Sequence, residues 1–325
     1  MEYTRFGRTD LSVSRVGMGC AVIGGYDYGK ADDRESVAAI RRALELGVNL
    51  FDTADVYGFG HAEEILAQGL GAQRHEVVVA TKVGVGWDAE GRTFRDLSAK
   101  RIVEALEASL RRLRLDCIPL YQIHWPDPKT PIAETLEALA RCQEAGKIRH
   151  IGCSNFSTDL VERAQAICRI ESVQLPYSLA ERGALETIRH CSEKYNMAAL
   201  TYSPLAQGLF SGKYGRESHF EGTDLRRRSY LFQGERLESN LALVERLKSI
   251  GHRYGRTPAQ TAIRWILEEP AVTCVLTGIK VPEEIEENAG AVGWHLSARD
   301  KALLNGEDAT GDLSSRGGGS KVLDE

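Results

Sequence analysis

The strongest constraint on this chain is an alternation repeated eight times: apolar runs of strand length are separated by segments whose apolar residues recur every three or four positions. The runs are Val16–Gly19, Val48–Phe51, Val77–Thr81, Ile118–Ile123, Ile148–Cys153, Ser172–Leu175, Ala198–Tyr202 and Thr273–Leu276. Between them, Val37, Ile40 and Leu44 keep one helix face apolar, as do Ile102, Leu106, Leu110 and Leu113, and Gly47 and Gly146 stand where two helices would stop. Strands that alternate with helices pair in parallel, and eight such units make a (β/α)8 TIM barrel of about 250 residues. Active sites of that architecture sit at the carboxyl ends of the strands.

The remaining segments fit around the barrel. Tyr3–Phe6 and Leu11–Ser14 flank Gly7-Arg8-Thr9-Asp10 and predict an N-terminal β-hairpin over the barrel floor. Segment 206–235 has no clear period and is expected to be a lid loop beside the cofactor and active site, with extra helices towards the C-terminus. A single barrel domain is expected over residues 1–305 and a mobile tail over 306–325, where Gly317-Gly318-Gly319 lies.

Composition narrows the function classes. With 42% hydrophobic and 27% charged residues the chain can bury a sizeable core, and a net charge of -5 gives no electrostatic reason to bind nucleic acid or an anionic membrane. Arg226-Arg227-Arg228, the one basic run, reads as a solvated loop, with a contact to an anion or cofactor phosphate as the alternative. Seven cysteines without a C-x-x-C pair fit buried reduced thiols. The first residues lack an apolar signal core, and no run approaches the ~18 apolar residues of a membrane span, so a cytoplasmic protein is expected. No H-E-x-x-H pattern or clustered Cys/His set points to a metal.

Four polar residues, Asp52, Tyr57, Lys82 and His124, stand where strand-like runs give way to loops in consecutive units two to four. Each has an ordinary structural reading: a turn cap, a rim aromatic, a solvated charge, a structural hydrogen-bonder. Their shared placement favours one assembled site. Tyr57 carries a hydroxyl that can donate a proton, but a phenol with an ordinary pKa of about 10 is a sluggish acid at neutral pH. A neighbouring Lys82 ammonium would stabilise the phenolate, Asp52 would hold that lysine, and His124 would hydrogen-bond a substrate oxygen. The set suits protonation of a carbonyl oxygen while hydride reaches its carbon, or the reverse. No side chain supplies hydride, so a nicotinamide cofactor is implied.

Phe51-Asp52-Thr53-Ala54-Asp55-Val56-Tyr57-Gly58, followed by Glu63-Glu64-Ile65-Leu66, resembles the aldo-keto reductase family, and the resemblance covers residues 3 to 305. Gly17-Met18-Gly19, Ala80-Thr81-Lys82, Gln122-Ile123-His124-Trp125-Pro126, Gly152-Cys153-Ser154-Asn155 and Tyr202-Ser203-Pro204-Leu205 extend it in order. The resemblance implies Tyr57 as general acid, Ser154, Asn155 and Gln174 on the nicotinamide carboxamide, and Tyr202 flat against its ring. It places Ser203, Leu205, Gly208 and Lys213 along the pyrophosphate, and Gly19, Cys20, Asp52, Gly278, Lys280, Glu284, Glu287 and Asn288 among the remaining cofactor contacts. Lys280 matches a basic position that can hold a 2'-phosphate, whereas Glu284 stands where Arg or Gln is common and would repel one. NADP(H) is favoured and NAD(H) stays open.

Gly84-Val85-Gly86-Trp87-Asp88-Ala89 satisfies a dinucleotide-binding glycine pattern, but Asp88 and Glu90 would face a pyrophosphate and no amphipathic helix opens there. A regulatory module that binds cofactor with little turnover, as the family's potassium-channel β-subunits illustrate, is the alternative function. Tyr26, Trp87 and Trp125 would rim a pocket for an aldehyde, ketone or sugar. Oligomeric state is left open.

Overall fold

The computed structural model describes residues 1–25, 28–220, 222 and 224–307. Its strands in chain order are β1 (Tyr3–Arg5), β2 (Ser12–Ser14), β3 (Val16–Gly19), β4 (Leu50–Asp52), β5 (Val78–Val83), β6 (Val85–Trp87), β7 (Thr93–Arg95), β8 (Ile118–Ile123), β9 (Ile148–Ser154), β10 (Ser172–Pro176), β11 (Ala198–Tyr202) and β12 (Cys274–Gly278). Eight of them close a barrel in the order β3-β4-β5-β8-β9-β10-β11-β12, every pair parallel. Helices lie between the strands, as the periodicity predicts, and this is the expected (β/α)8 TIM barrel. The helix Ala99–Leu113 buries Ile102, Leu106, Leu110 and Leu113, the stripe read from sequence.

Side chains that alternate along each strand divide the core in two. Phe51, Val79, Tyr121 and Ile123 point outward into the layer between strands and helices. Leu50, Val78, Ala80, Leu120, Leu200 and Leu276 point inward and form a cluster with Phe6, Leu11 and Val13 of the N-terminal hairpin. β1 and β2 pair antiparallel, so the hairpin plugs the floor as expected. Two residues further along the same inward faces stand Asp52, Lys82, Gln122 and Tyr202. The barrel interior is therefore apolar below and polar above.

Three features differ from the sequence reading. Asp52 and Lys82 lie inside their strands rather than after them, because ladder pairing continues through Asp52↔Ala80 and Lys82↔Gln122. β6 and β7 form an antiparallel hairpin that the sequence does not announce, since three-residue strands are too short for alternation to register. Segment 206–235 is not structureless. Among its described residues are 3-10 turns at Leu209–Ser211, Leu225–Arg227 and Tyr230–Phe232, tied by ring contacts among Tyr214, Phe220 and Phe232. The expected tail lies outside the described residues from position 308 onward.

Among the described residues, no helix is long and apolar enough to cross a membrane.

Candidate active site

Asp52 is the hub of the polar upper layer. Lys82 Nζ lies 2.5 Å from its Oδ1, Gln174 Nε2 donates to its Oδ2 at 2.8 Å, and Gln122 Nε2 donates to the same oxygen at 3.1 Å. Gln122 reaches inward because residue 152 beside it is glycine: a Cβ there would stand 2.9 Å from Gln122 Cγ and 2.3 Å from Ser172 Oγ. Lys82 is fully buried. Its ammonium also donates to Thr53 O at 2.8 Å and lies 3.4 Å from Tyr57 Oη, so it makes three polar contacts, as a buried ammonium requires.

Tyr57 comes from the loop after β4 and sits half-buried above this lysine. A backbone-to-backbone approach fixes the loop: Gly58 has φ 59°, and a Cβ there would fall 2.4 Å from Gly24 O. His124 follows β8, its amide donating to Val83 O at 2.9 Å and its ring meeting Tyr57 edge-on with centroids 5.6 Å apart. Burial, helped by the nearby Lys82 charge, pushes the His124 imidazole well below its ordinary value, so it is neutral at physiological pH. Its Nδ1 is buried without a hydrogen-bond partner among the described residues. The four residues expected to form one site are thus brought together.

Tyr57 and His124 open into a cleft with a cavity volume of about 410 Å³. Asp52, Ser154, Asn155, Gln174 and Tyr202 border its inner end, and Trp125 its rim. Asn155 adopts φ 62°, which lets its side-chain amide donate to His124 O at 2.9 Å while its Oδ1 accepts from Tyr202 Oη at 2.9 Å. Ser203, Leu205, Gly208 and the exposed Lys213 border the middle. Gly19, Gly278, Lys280, Glu284, Glu287 and Asn288 border the far end. There Lys280 Nζ donates to Tyr28 O at 2.5 Å, and Glu284 accepts from the Lys280 backbone amide at 2.7 Å.

Some expected site residues stand elsewhere. Cys20 is fully buried and does not border the cleft, and burial pushes its thiol up. Its amide instead donates to Asp52 O at 2.8 Å, so its contribution is to the strand ladder. Trp87 also lies off the cleft. Its ring is taken up by Phe59, with centroids 5.7 Å apart, and by the Arg101 guanidinium at 5.5 Å. Tyr26 lies outside the described residues.

Sequence reasoning missed Gln122, the second amide on Asp52, and preferred the solvated reading of Arg226 to its alternative, a contact to an anion or cofactor phosphate. Arg226 is not a solvated charge: it is half-buried at the far end of the cleft, ion-paired with Asp224 at 2.6 Å and 4.5 Å from the Phe220 ring centroid. Its neighbours Arg227 and Arg228 are both exposed and fit the solvated reading. Inward alternation from Leu120 could have found Gln122. Gln207, also missed, borders the cleft with a buried Oε1 that has no hydrogen-bond partner among the described residues.

Residues 15–306 match the model of the Aldo/keto reductase family. The chain is 39% identical over 308 residues to aldo-keto reductase YhdN of Bacillus subtilis (strain 168), covering 94% of this chain and 93% of that one. It is 33% identical over 319 residues to the NADH-specific methylglyoxal reductase of Escherichia coli (strain K12), covering 94% and 97%. Among solved structures, the glycerol dehydrogenase AKR11B4 from Gluconobacter oxydans superposes with a TM-score of 0.87 at 35% identity, over 98% of this chain and 99% of that one.

Proposed function

Since this chain belongs to the aldo/keto reductase family, whose members are nicotinamide-dependent oxidoreductases, we propose that it interconverts an aldehyde, ketone or sugar carbonyl with its alcohol, with Tyr57 as proton donor and acceptor. The observation that carries this reading is the Asp52–Lys82–Tyr57 chain, 2.5 Å and 3.4 Å at its two links. Asp52 holds the ammonium, and the ammonium favours the phenolate that remains once Tyr57 has given its proton to a carbonyl oxygen. Neutral His124 hydrogen-bonds that oxygen without placing a second cation beside Lys82. In the oxidative direction the same phenolate takes the alcohol proton back.

The residues present fit a dinucleotide. Ala206, Gln207 and Gly208 have φ of 48°, 58° and 92°, a left-handed turn that carries Gln207 and Gly208 to the border of the cleft, and the buried Gln207 Oε1 lacks a donor among the described residues. When bound, a reduced nicotinamide supplies the hydride. Ser154, Asn155 and Gln174 would hold its carboxamide, Tyr202 would pack on its ring, and Lys280 with Arg226 would meet a 2'-phosphate.

We favour NADP(H), because two cations border the far end while the Glu284 carboxylate is engaged by the Lys280 amide. The Escherichia coli relative is NADH-specific by name, so both cofactors enter the test. Seven free cysteines support a reducing compartment, the cytoplasm. The experiment is fluorescence titration with NADPH and NADH, then oxidation of the tighter one with aldehydes, nitrobenzaldehyde among them, and sugars. Turnover with a carbonyl is expected; tight binding without turnover on any of them would favour a regulatory module.

A further inference from the structure

Behind the Tyr57 loop, on the outward side of the strands, lie two carboxylates that the proposed reaction does not use. Asp55 is 1% exposed and Glu63 is 0% exposed. Glu63, in the first turn of the helix His61–Leu70, accepts from Thr81 Oγ1 at 2.6 Å through one oxygen and from Arg112 Nε at 2.6 Å through the other. Arg112 passes over Gly60, where a Cβ would lie 2.9 Å from its Cδ. Asp55 pairs with Arg101 Nη2 at 3.2 Å, and Arg101 in turn covers the Trp87 ring.

A purely structural role explains this poorly. Buried ion pairs give little net stability against an apolar core of the same volume, since the desolvation of both charges offsets their attraction. They do impose direction, because a charge-assisted hydrogen bond is short and angularly demanding. The directions here converge on two neighbours of the reacting pair. Thr81 immediately precedes Lys82, and the helix that carries Glu63 starts four residues after Tyr57. One carboxylate therefore ties the strand bearing the lysine to the segment bearing the tyrosine. Their Nζ–Oη separation of 3.4 Å is at the long end of hydrogen bonding, where a few tenths of an ångström decide whether contact is kept.

We propose that Glu63, acting through the Thr81 hydroxyl and steadied by Arg112, is a positioning residue that holds Lys82 against Tyr57, with the Asp55–Arg101 pair bracing the same loop. The proposal rests on the carbonyl-reductase reading above. Thr81→Val removes the hydroxyl at nearly constant volume, and Thr81→Ser keeps it. At saturating cofactor, Thr81→Val should lower kcat about 10-fold, as expected for a small misplacement at the reacting centre. KM for the carbonyl and cofactor affinity should stay within about 2-fold, and Thr81→Ser should restore turnover. Glu63→Gln should reproduce the Thr81→Val pattern where it folds, and the threonine pair tests the idea where it does not.

Native-like kcat in Thr81→Val, failure of serine to rescue, or a parallel loss of cofactor binding would each overturn the positioning role while the native enzyme still turns over. Absence of turnover in the native enzyme with every carbonyl defeats the underlying reading and this inference with it.

Discussion

The two ends of the cleft are built differently. At the inner end the functional groups stand on strands or one short loop away, and Lys82 and Gln174 are buried and each bonded to the buried Asp52. At the far end Lys280, Glu284 and Arg226 are half-buried on loops or helix starts, and their partners include the backbone of a neighbouring loop. Strand-borne groups keep the sub-ångström geometry that proton transfer needs, whereas loop-borne charges can be exchanged without disturbing the barrel. On the proposed function, the reaction falls to one end and the choice of cofactor to the other.

Substitutions at the inner end should strike hardest. Tyr57→Phe removes only the proton donor and is expected to lower turnover by about 1,000-fold, within the range of general acid catalysis, with cofactor affinity unchanged by titration. Lys82→Met is expected to cost about 100-fold in kcat, since the phenolate loses its neighbouring cation, and steady-state kinetics at saturating cofactor measure it. Retained turnover in either variant would break the assignment of chemistry to the strand ends.

At the far end the effect should be smaller and confined to binding. Lys280→Ala is expected to weaken NADPH by about 10-fold, the equivalent of ~1.4 kcal/mol, and leave NADH nearly unchanged. Equal losses for both cofactors would show that Lys280 does not read the phosphate.

The smallest expected effect concerns stability. Burial, with the nearby Glu63 charge, pushes the Asp55 carboxyl up from 3.8 to about 7, against the opposing pull of Arg101 and Arg112. Between those values the folded chain holds a proton that the unfolded chain has released, so stability falls as pH rises through the window. Asp55→Asn should flatten the dependence of Tm on pH between about 4 and 7; an unaltered slope would place that titration elsewhere.

Legibility followed the same division. The barrel and the inner end could be read because hydrophobic period marks each strand, and Asp52, Lys82 and His124 each follow such a run closely. Gln122 escaped notice as one polar residue inside a strand, although the inward alternation from Leu120 points to it. Trp87 reads from sequence as a pocket residue, because sequence does not reveal that Phe59 and Arg101 claim its ring across 28 and 14 positions. Arg226 looked solvated in a run of three arginines, and its burial depends on Tyr214 and Phe220, which precede it in a segment without period. Contacts made by irregular chain leave no repeating signal, so the far end was the harder half to read.

The most direct test of the separation is turnover at saturating NADPH, measured side by side for Tyr57→Phe and Lys280→Ala. Such a separation requires that Lys280→Ala recover native turnover once cofactor is saturating and that Tyr57→Phe not do so. Comparable losses in both variants at saturation would contradict it.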